Sequence, residues 1–315
     1  MQNENPIFGR KVFFVNPSLF IEHIICDALK EQEYEIYILN DYKLAKPVLS
    51  RYKDSICFIA IDSELSFSEW YNFIKSFGDD EILSTIFVGV LSETAKPVDK
   101  EKFILNLKLP GGFININRKA PELFENFKGI LDLNGAKGRR QYLRLNVNSE
   151  QVSGYIAAKD KLYAIDVVNI SSVGLACVFK KSMEALFVEN SIMQNVSLTI
   201  ARRSIVMNCI VLKKLPIESD SSSMQAVMLF AKDTPPDVRG HIRKFIYDFF
   251  ESEMNYVKSK LTKDTSSYKI PDVYKELPAT GSISETSNSA IDDSVPLAEE
   301  ITEKSNFGAS SPDDI

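Results

Sequence analysis

The residues best suited to chemistry fall in two short clusters. Arg139, Arg140 and Arg144 stand in the run Arg139-Arg140-Gln141-Tyr142-Leu143-Arg144, and about two dozen residues further on comes Asn169-Ile170-Ser171-Ser172-Val173-Gly174. A guanidinium fork can bridge phosphate oxygens, or the O6 and N7 edge of guanine, with two parallel hydrogen bonds, and it can lie flat on a purine face. Lysine would supply the charge without the planar fork, so arginine at these positions is the informative choice. The second cluster adds neutral groups. Asn169 can read the polar edge of a base, the Ser171 hydroxyl can bond base or phosphate, and Gly174 permits a positive φ or a close backbone approach.

These clusters need a scaffold, and the flanking residues describe one. Residues 162–168 are apolar and β-prone and residues 175–179 resume as a second strand, which puts the Asn-x-Ser-x-x-Gly cluster at a strand-turn-strand corner. Residues 196–200, 204–212 and 226–230 read as further short strands, a pattern that predicts a small closed barrel. Pro235-Pro236-Asp237 then opens an amphipathic helix with Val238, Ile242, Phe245, Ile246, Phe249 and Phe250 at helical spacing. That stripe is expected to plug an open barrel end or to meet a neighbouring domain.

An arginine pair spaced RxxxR, followed by [D/N]xSxxG within a run of short strands, resembles the PilZ domain, the bacterial receptor module for cyclic di-GMP. The resemblance covers about residues 138–260. It implies that Arg139, Arg140, Arg144, Asn169, Ser171 and Gly174 contact cyclic di-GMP and that no other cofactor is needed. It further implies two ligand molecules per protomer, because Arg139 directly precedes the RxxxR pair, as in members that bind a stacked pair. Leu175 departs from the second glycine that often follows the first.

The first third has a different rhythm. Strands are expected at 11–15, 35–39, 55–61, 85–90 and 112–116, with helices at 19–33, toward Tyr52, at 67–77 and at 121–131. This alternation predicts a doubly wound parallel sheet. The unit resembles the receiver domain of response regulators, with Asp62 after the third strand at the phosphoacceptor position, Ser92 after the fourth, and Lys108 with Pro110 near the fifth. Phosphotransfer to an aspartate needs Mg²⁺ held by carboxylates at the end of the first strand, where this chain has Val15-Asn16-Pro17. Asp62 is therefore disfavoured as a phosphoacceptor, and the domain reads as a pseudo-receiver. No GxGxxG follows the first strand and no Walker loop is present, which argues against dinucleotide and NTP binding.

The expected fold class is thus α/β plus all-β. A receiver-like domain spans 1–133, a glycine-containing hinge 134–138, a PilZ-type β-barrel with a terminal helix 139–261, and a disordered acidic Ser/Thr-rich tail 262–315. A chain of 315 residues with 44% hydrophobic content suffices for two domains plus a tail. Cys26, Cys57, Cys177 and Cys209 lie in apolar stretches without CxxC spacing and read as reduced core residues, with no metal site. His23 and His241 read as solvated or packing residues. No apolar run is long enough to span a membrane and the first residues do not form a signal peptide, so a cytoplasmic protein is expected.

Three functions fit these residues. The first is a cyclic di-GMP effector that changes its domain arrangement and its contacts with a downstream protein when ligand gathers the arginines at the hinge. The second is a nucleotide-independent interaction adaptor. The third is a phosphorylated response regulator. No catalytic dyad supports an enzyme, and the absence of a long basic stripe argues against nucleic acid as a partner. The residues specify neither an oligomeric state nor the identity of the downstream protein.

Overall fold

A computed structural model describes residues 9–158 and 161–265 of the chain, and these lie in one compact unit. Five strands, β1 (Val12–Val15), β2 (Ile36–Leu39), β3 (Ile56–Ala60), β4 (Phe87–Ser92) and β5 (Gly112–Asn115), pair in parallel in the order β2-β1-β3-β4-β5. β1 and β3 are apolar and buried along their whole length because both sheet faces are covered. Side chains alternate between the faces. Val12 and Phe14 pack with a helix that runs from a π-turn at Ile21–Cys26 into α1 (Asp27–Glu31), and with Leu123, Phe127 and Leu131 of a later helix. Phe13 and Val15 face the opposite core, where α2 (Ala45–Leu49) contributes Val48 and α3 (Phe67–Lys75) contributes Trp70, Phe73 and Ile74.

α3 starts where the sequence supplies a capping box: Glu69 N–H donates to Ser66 Oγ at 3.3 Å, and Ser66 N–H donates to Glu69 Oε2 at 2.7 Å. α4 (Pro97–Asn106), absent from the expected helices, buries Phe103 while Val98 and Leu105 face outward. α5 (Ala120–Leu133) supplies the leucine and phenylalanine face named above.

The second half is a closed antiparallel barrel. Its strands are β6 (Leu145–Asn146), β7 (Val152–Ala158), β8 (Lys161–Ser171), β9 (Gly174–Lys180), β10 (Ile192–Ile200), β11 (Arg203–Ile217) and β12 (Asp220–Phe230). Six of them form the ring β8-β7-β10-β11-β12-β9, which β8–β9 pairing closes, and short β6 lies against β8. Closure leaves no open sheet edge around the ring. β7 alternates buried and outward residues, with Gly154 at its centre, where an added Cβ would come within 2.6 Å of Ile165.

α6 (Pro236–Thr265) joins both halves. Its start inserts Val238, Ile242 and Ile246 into the barrel core, and its later turns bury Met254 and Leu261 in the core beneath the parallel sheet. Of the expected stripe, Val238, Ile242 and Ile246 enter the barrel core, and Phe250 packs against both cores. α6 runs through the boundary expected at 261 as far as Thr265, and the rest of the expected tail lies outside the described residues.

The segment expected as a hinge, 134–138, makes close backbone contacts. Arg10 N–H donates to the Gly135 carbonyl at 3.2 Å, Ala136 N–H donates to the Leu131 carbonyl at 2.9 Å, and Ala136 is buried. Gly135 takes φ +68°, and Gly9 presses so closely on the Ala136 carbonyl that a Cβ would lie 2.1 Å from its oxygen. Glycine here allows a left-handed turn and tight backbone contact.

Candidate functional site

The two clusters meet at a seam made by β6. Leu145 pairs with Ile170 and Asn146 with Asn169, so the segment carrying the arginines runs directly into a strand hydrogen-bonded to the second cluster. On its other side β8 pairs with β9, placing Asn169 opposite Ala176 and Ile170 opposite Leu175. The register shifts between Val167 and Asn169, a bulge that bends β8 at this point.

Arg139 and Arg140 are exposed on the irregular stretch between α5 and β6, and Arg144 is exposed immediately before β6. Partial burial first, and then the like charge of Arg140, lower the Arg144 guanidinium from its ordinary pKa. Asn169 is half-buried between Asn146 and Ala176.

Ser171 and Gly174 sit deeper. Ser171 is buried, and its hydroxyl donates to the Gly174 carbonyl at 3.0 Å, closing the corner from β8 to β9. A Cβ on Gly174 would lie 2.4 Å from the Met228 carbonyl oxygen, so glycine is required there by close approach to β12. Leu175 is buried in the barrel core, and its side chain packs where a second glycine would leave a void.

Glu33, just beyond the end of α1, also reaches this seam. It adopts φ +66° and is 8% exposed. Its Oε1 accepts from the buried Ser172 hydroxyl at 2.6 Å, and its Oε2 accepts from the Leu143 backbone N–H at 3.3 Å. One carboxylate from the parallel-sheet half therefore bridges the arginine segment and the second cluster. No local pattern around Glu33 announces this role, since its partners lie 110 and 139 residues away. Nearby, the Tyr247 hydroxyl on α6 donates to the carbonyls of Tyr34 at 2.7 Å and Lys30 at 3.0 Å, and Arg243 donates to the Glu31 carbonyl at 2.8 Å.

Asp62 lies far from this seam in sequence, two residues after β3. Its carboxylate accepts from Ser92 Oγ at 2.6 Å, Thr94 Oγ1 at 2.7 Å and the Glu93 N–H at 2.6 Å. Burial alone would raise its pKa, but these donors outweigh it and hold the carboxyl below its ordinary value. Lys108 is exposed, and Asn16, at the end of β1, has a positive φ of 48° and a buried amide nitrogen without a partner. Among the described residues, no three His, Cys, Asp or Glu side chains converge as a metal site, and no helix is long and apolar enough to cross a membrane.

A parallel sheet of order 2-1-3-4-5 joined to a closed six-stranded antiparallel barrel, with both clusters on one seam, defines a receiver-like domain followed by a PilZ-type barrel. No family model matches the chain, and no curated protein matches it. Among solved structures, it is similar to the K. pneumonia MrkH–c-di-GMP complex, at 21% identity and a TM-score of 0.34 over 38% of this chain and 56% of that one. It is also similar to the PilZ domain with c-di-GMP of YcgR from Escherichia coli, at 11% identity and a TM-score of 0.31 over 38% and 98%. A third similarity is to a chemotaxis protein of Vibrio cholerae, at 17% identity and a TM-score of 0.32 over 39% and 99%. The chain spans about half the length of the MrkH chains and of the longer YcgR chain that it matches.

Proposed function

We propose that this chain is a cyclic di-GMP-binding signalling effector and not an enzyme. The observation that supports the reading is the β6–β8 seam, where the strand that directly follows the arginine segment pairs with Asn169 and Ile170. Guanidinium forks suit the two phosphodiesters and the guanine edges of such a ligand, and Asn169 supplies a neutral donor and acceptor beside them. Ser171 and Gly174, at the corner that follows Asn169, complete the proposed set of ligand-contacting residues, and their own hydrogen bond holds that corner. Arg139, next to the RxxxR pair, supports two ligand molecules per protomer.

Ligand binding changes the arrangement of the two halves and thereby the surface offered to a downstream protein. The driving free energy is the ligand's differential contact with the two arrangements. Isothermal titration of cyclic di-GMP into the wild type and into Arg144→Ala tests the reading. Saturable binding, lost in the variant and with a stoichiometry near two, is the expected result. A wild type that takes up no ligand would overturn it and leave the nucleotide-independent adaptor. Unchanged small-angle scattering at saturating ligand would remove the rearrangement while leaving the binding in place.

A further inference from the structure

We infer that Glu33 is an intramolecular competitor for the anion site, a latch from the receiver-like half that must release before ligand seats fully. The inference rests on the cyclic di-GMP reading above and concerns how that same site is regulated.

Glu33 occupies one donor in each cluster, beside the residues assigned to the ligand. It accepts from a backbone N–H inside the arginine segment, that of Leu143, and from a hydroxyl inside the second cluster, that of Ser172. A phosphodiester oxygen accepts from the same two kinds of donor. The carboxylate is buried, and its positive φ of 66° is a costly conformation for a residue with a side chain, one that glycine or asparagine would adopt more readily. The surrounding contacts hold it in place: Lys137 lies over the Tyr34 ring at 4.6 Å, and Tyr247 and Arg243 of α6 fasten the carbonyls of Lys30, Glu31 and Tyr34.

Two negative groups cannot share this small donor set without repulsion. Binding of a dianion and seating of Glu33 are therefore coupled with opposite sign, and by reciprocity a tightly seated Glu33 weakens the ligand. Its release would also free the link at Leu143 and Ser172 between the two halves, which connects occupancy of the arginines to the domain contact.

The test is titration of cyclic di-GMP into the full chain as wild type, Glu33→Ala and Glu33→Gln, each also combined with Arg144→Ala. Glu33→Ala should bind about tenfold more tightly than the wild type. Glu33→Gln, which removes the charge and keeps one acceptor, should fall between them, and Arg144→Ala should abolish binding in every background. If Glu33→Ala loses its thermal unfolding transition, the near-isosteric Glu33→Gln decides the matter alone. Wild-type binding with Glu33 variants no tighter than wild type would overturn the latch and leave the ligand reading standing. No binding by any of the chains would overturn both.

Discussion

The Ser92 hydroxyl donates to Asp62 Oδ1 at 2.6 Å, and the next two residues complete a closed ring of donors around the same carboxylate. The residue at the phosphoacceptor position is thereby turned into a structural acceptor that ties the end of β3 to the loop after β4. The end of β1 supplies Asn16 where a metal-binding carboxylate would be needed.

From this, incubation with acetyl phosphate and Mg²⁺ should leave the intact mass of the protein unchanged, and a phosphorylated species abolished by Asp62→Asn would contradict the assignment. Asp62→Asn should cost about 1 kcal/mol of stability near neutral pH, because an amide can accept at one atom only. The sign of the pH dependence follows from a folded-state pKa below the ordinary 3.8. The stabilisation is fully present above the unfolded pKa and is lost as pH falls through the folded value. Urea titrations of both chains should therefore diverge near neutrality and converge as the pH falls through the folded-state pKa of Asp62. An equal difference at all pH values would show that the carboxylate is not the cause.

Gly174 offers a test of whether its role is ligand contact or packing. A methyl group there would lie 2.4 Å from the Met228 carbonyl, which is backbone and cannot swing aside. Gly174→Ala should cost about 3 kcal/mol or prevent folding. Thermal denaturation without any ligand measures this directly. A variant with wild-type stability but weakened ligand binding would show that Gly174 acts through direct contact with the ligand.

Much of the architecture was legible because burial on both faces writes itself into sequence. The unbroken apolar runs of β1 and β3, and the apolar alternation of Ile24, Ile25 and Leu29 with polar neighbours, locate the parallel sheet and its first helix. α4 escaped because it buries only Phe103 and leaves Val98 and Leu105 outside, so its apolar positions mark no single face. β7 escaped because Gly154 interrupts it, although that glycine is what allows close contact with Ile165. In the site, the arginines and Asn169 carry recognisable chemistry in their own side chains. Glu33 does not: its role comes from a left-handed turn and from partners more than 100 residues distant, neither of which local composition encodes.

The four cysteines should be chemically silent in the folded chain. All four are buried thiols, and burial pushes them up, with Cys177 and Cys209 each reaching about 12. The reactive thiolate is therefore scarce at any pH where the fold is stable. Ellman's reagent should titrate no thiol in native protein and all four in guanidinium chloride. Rapid native labelling of any one of them would indicate local opening of its core.

Because α6 threads both cores, a cavity cut at one end should be felt at the other. Ile242 is fully buried in the barrel, while Trp70, the single tryptophan of the chain, is fully buried beneath the parallel sheet with its indole N–H donating to the Ser63 carbonyl at 2.9 Å. Ile242→Ala should cost about 2–5 kcal/mol. Were the two halves independent, that loss would appear only in signals from the barrel, and tryptophan fluorescence would report the wild-type midpoint. The continuity of α6 from Ile242 to Met254 and Leu261 instead predicts a shared transition, so that the midpoint followed through Trp70 falls together with that followed by far-ultraviolet circular dichroism. A Trp70 midpoint unmoved by Ile242→Ala would show that the helix carries no energetic coupling between the halves, and would also remove the physical route by which an event at the arginine seam could reach the receiver-like sheet through α6.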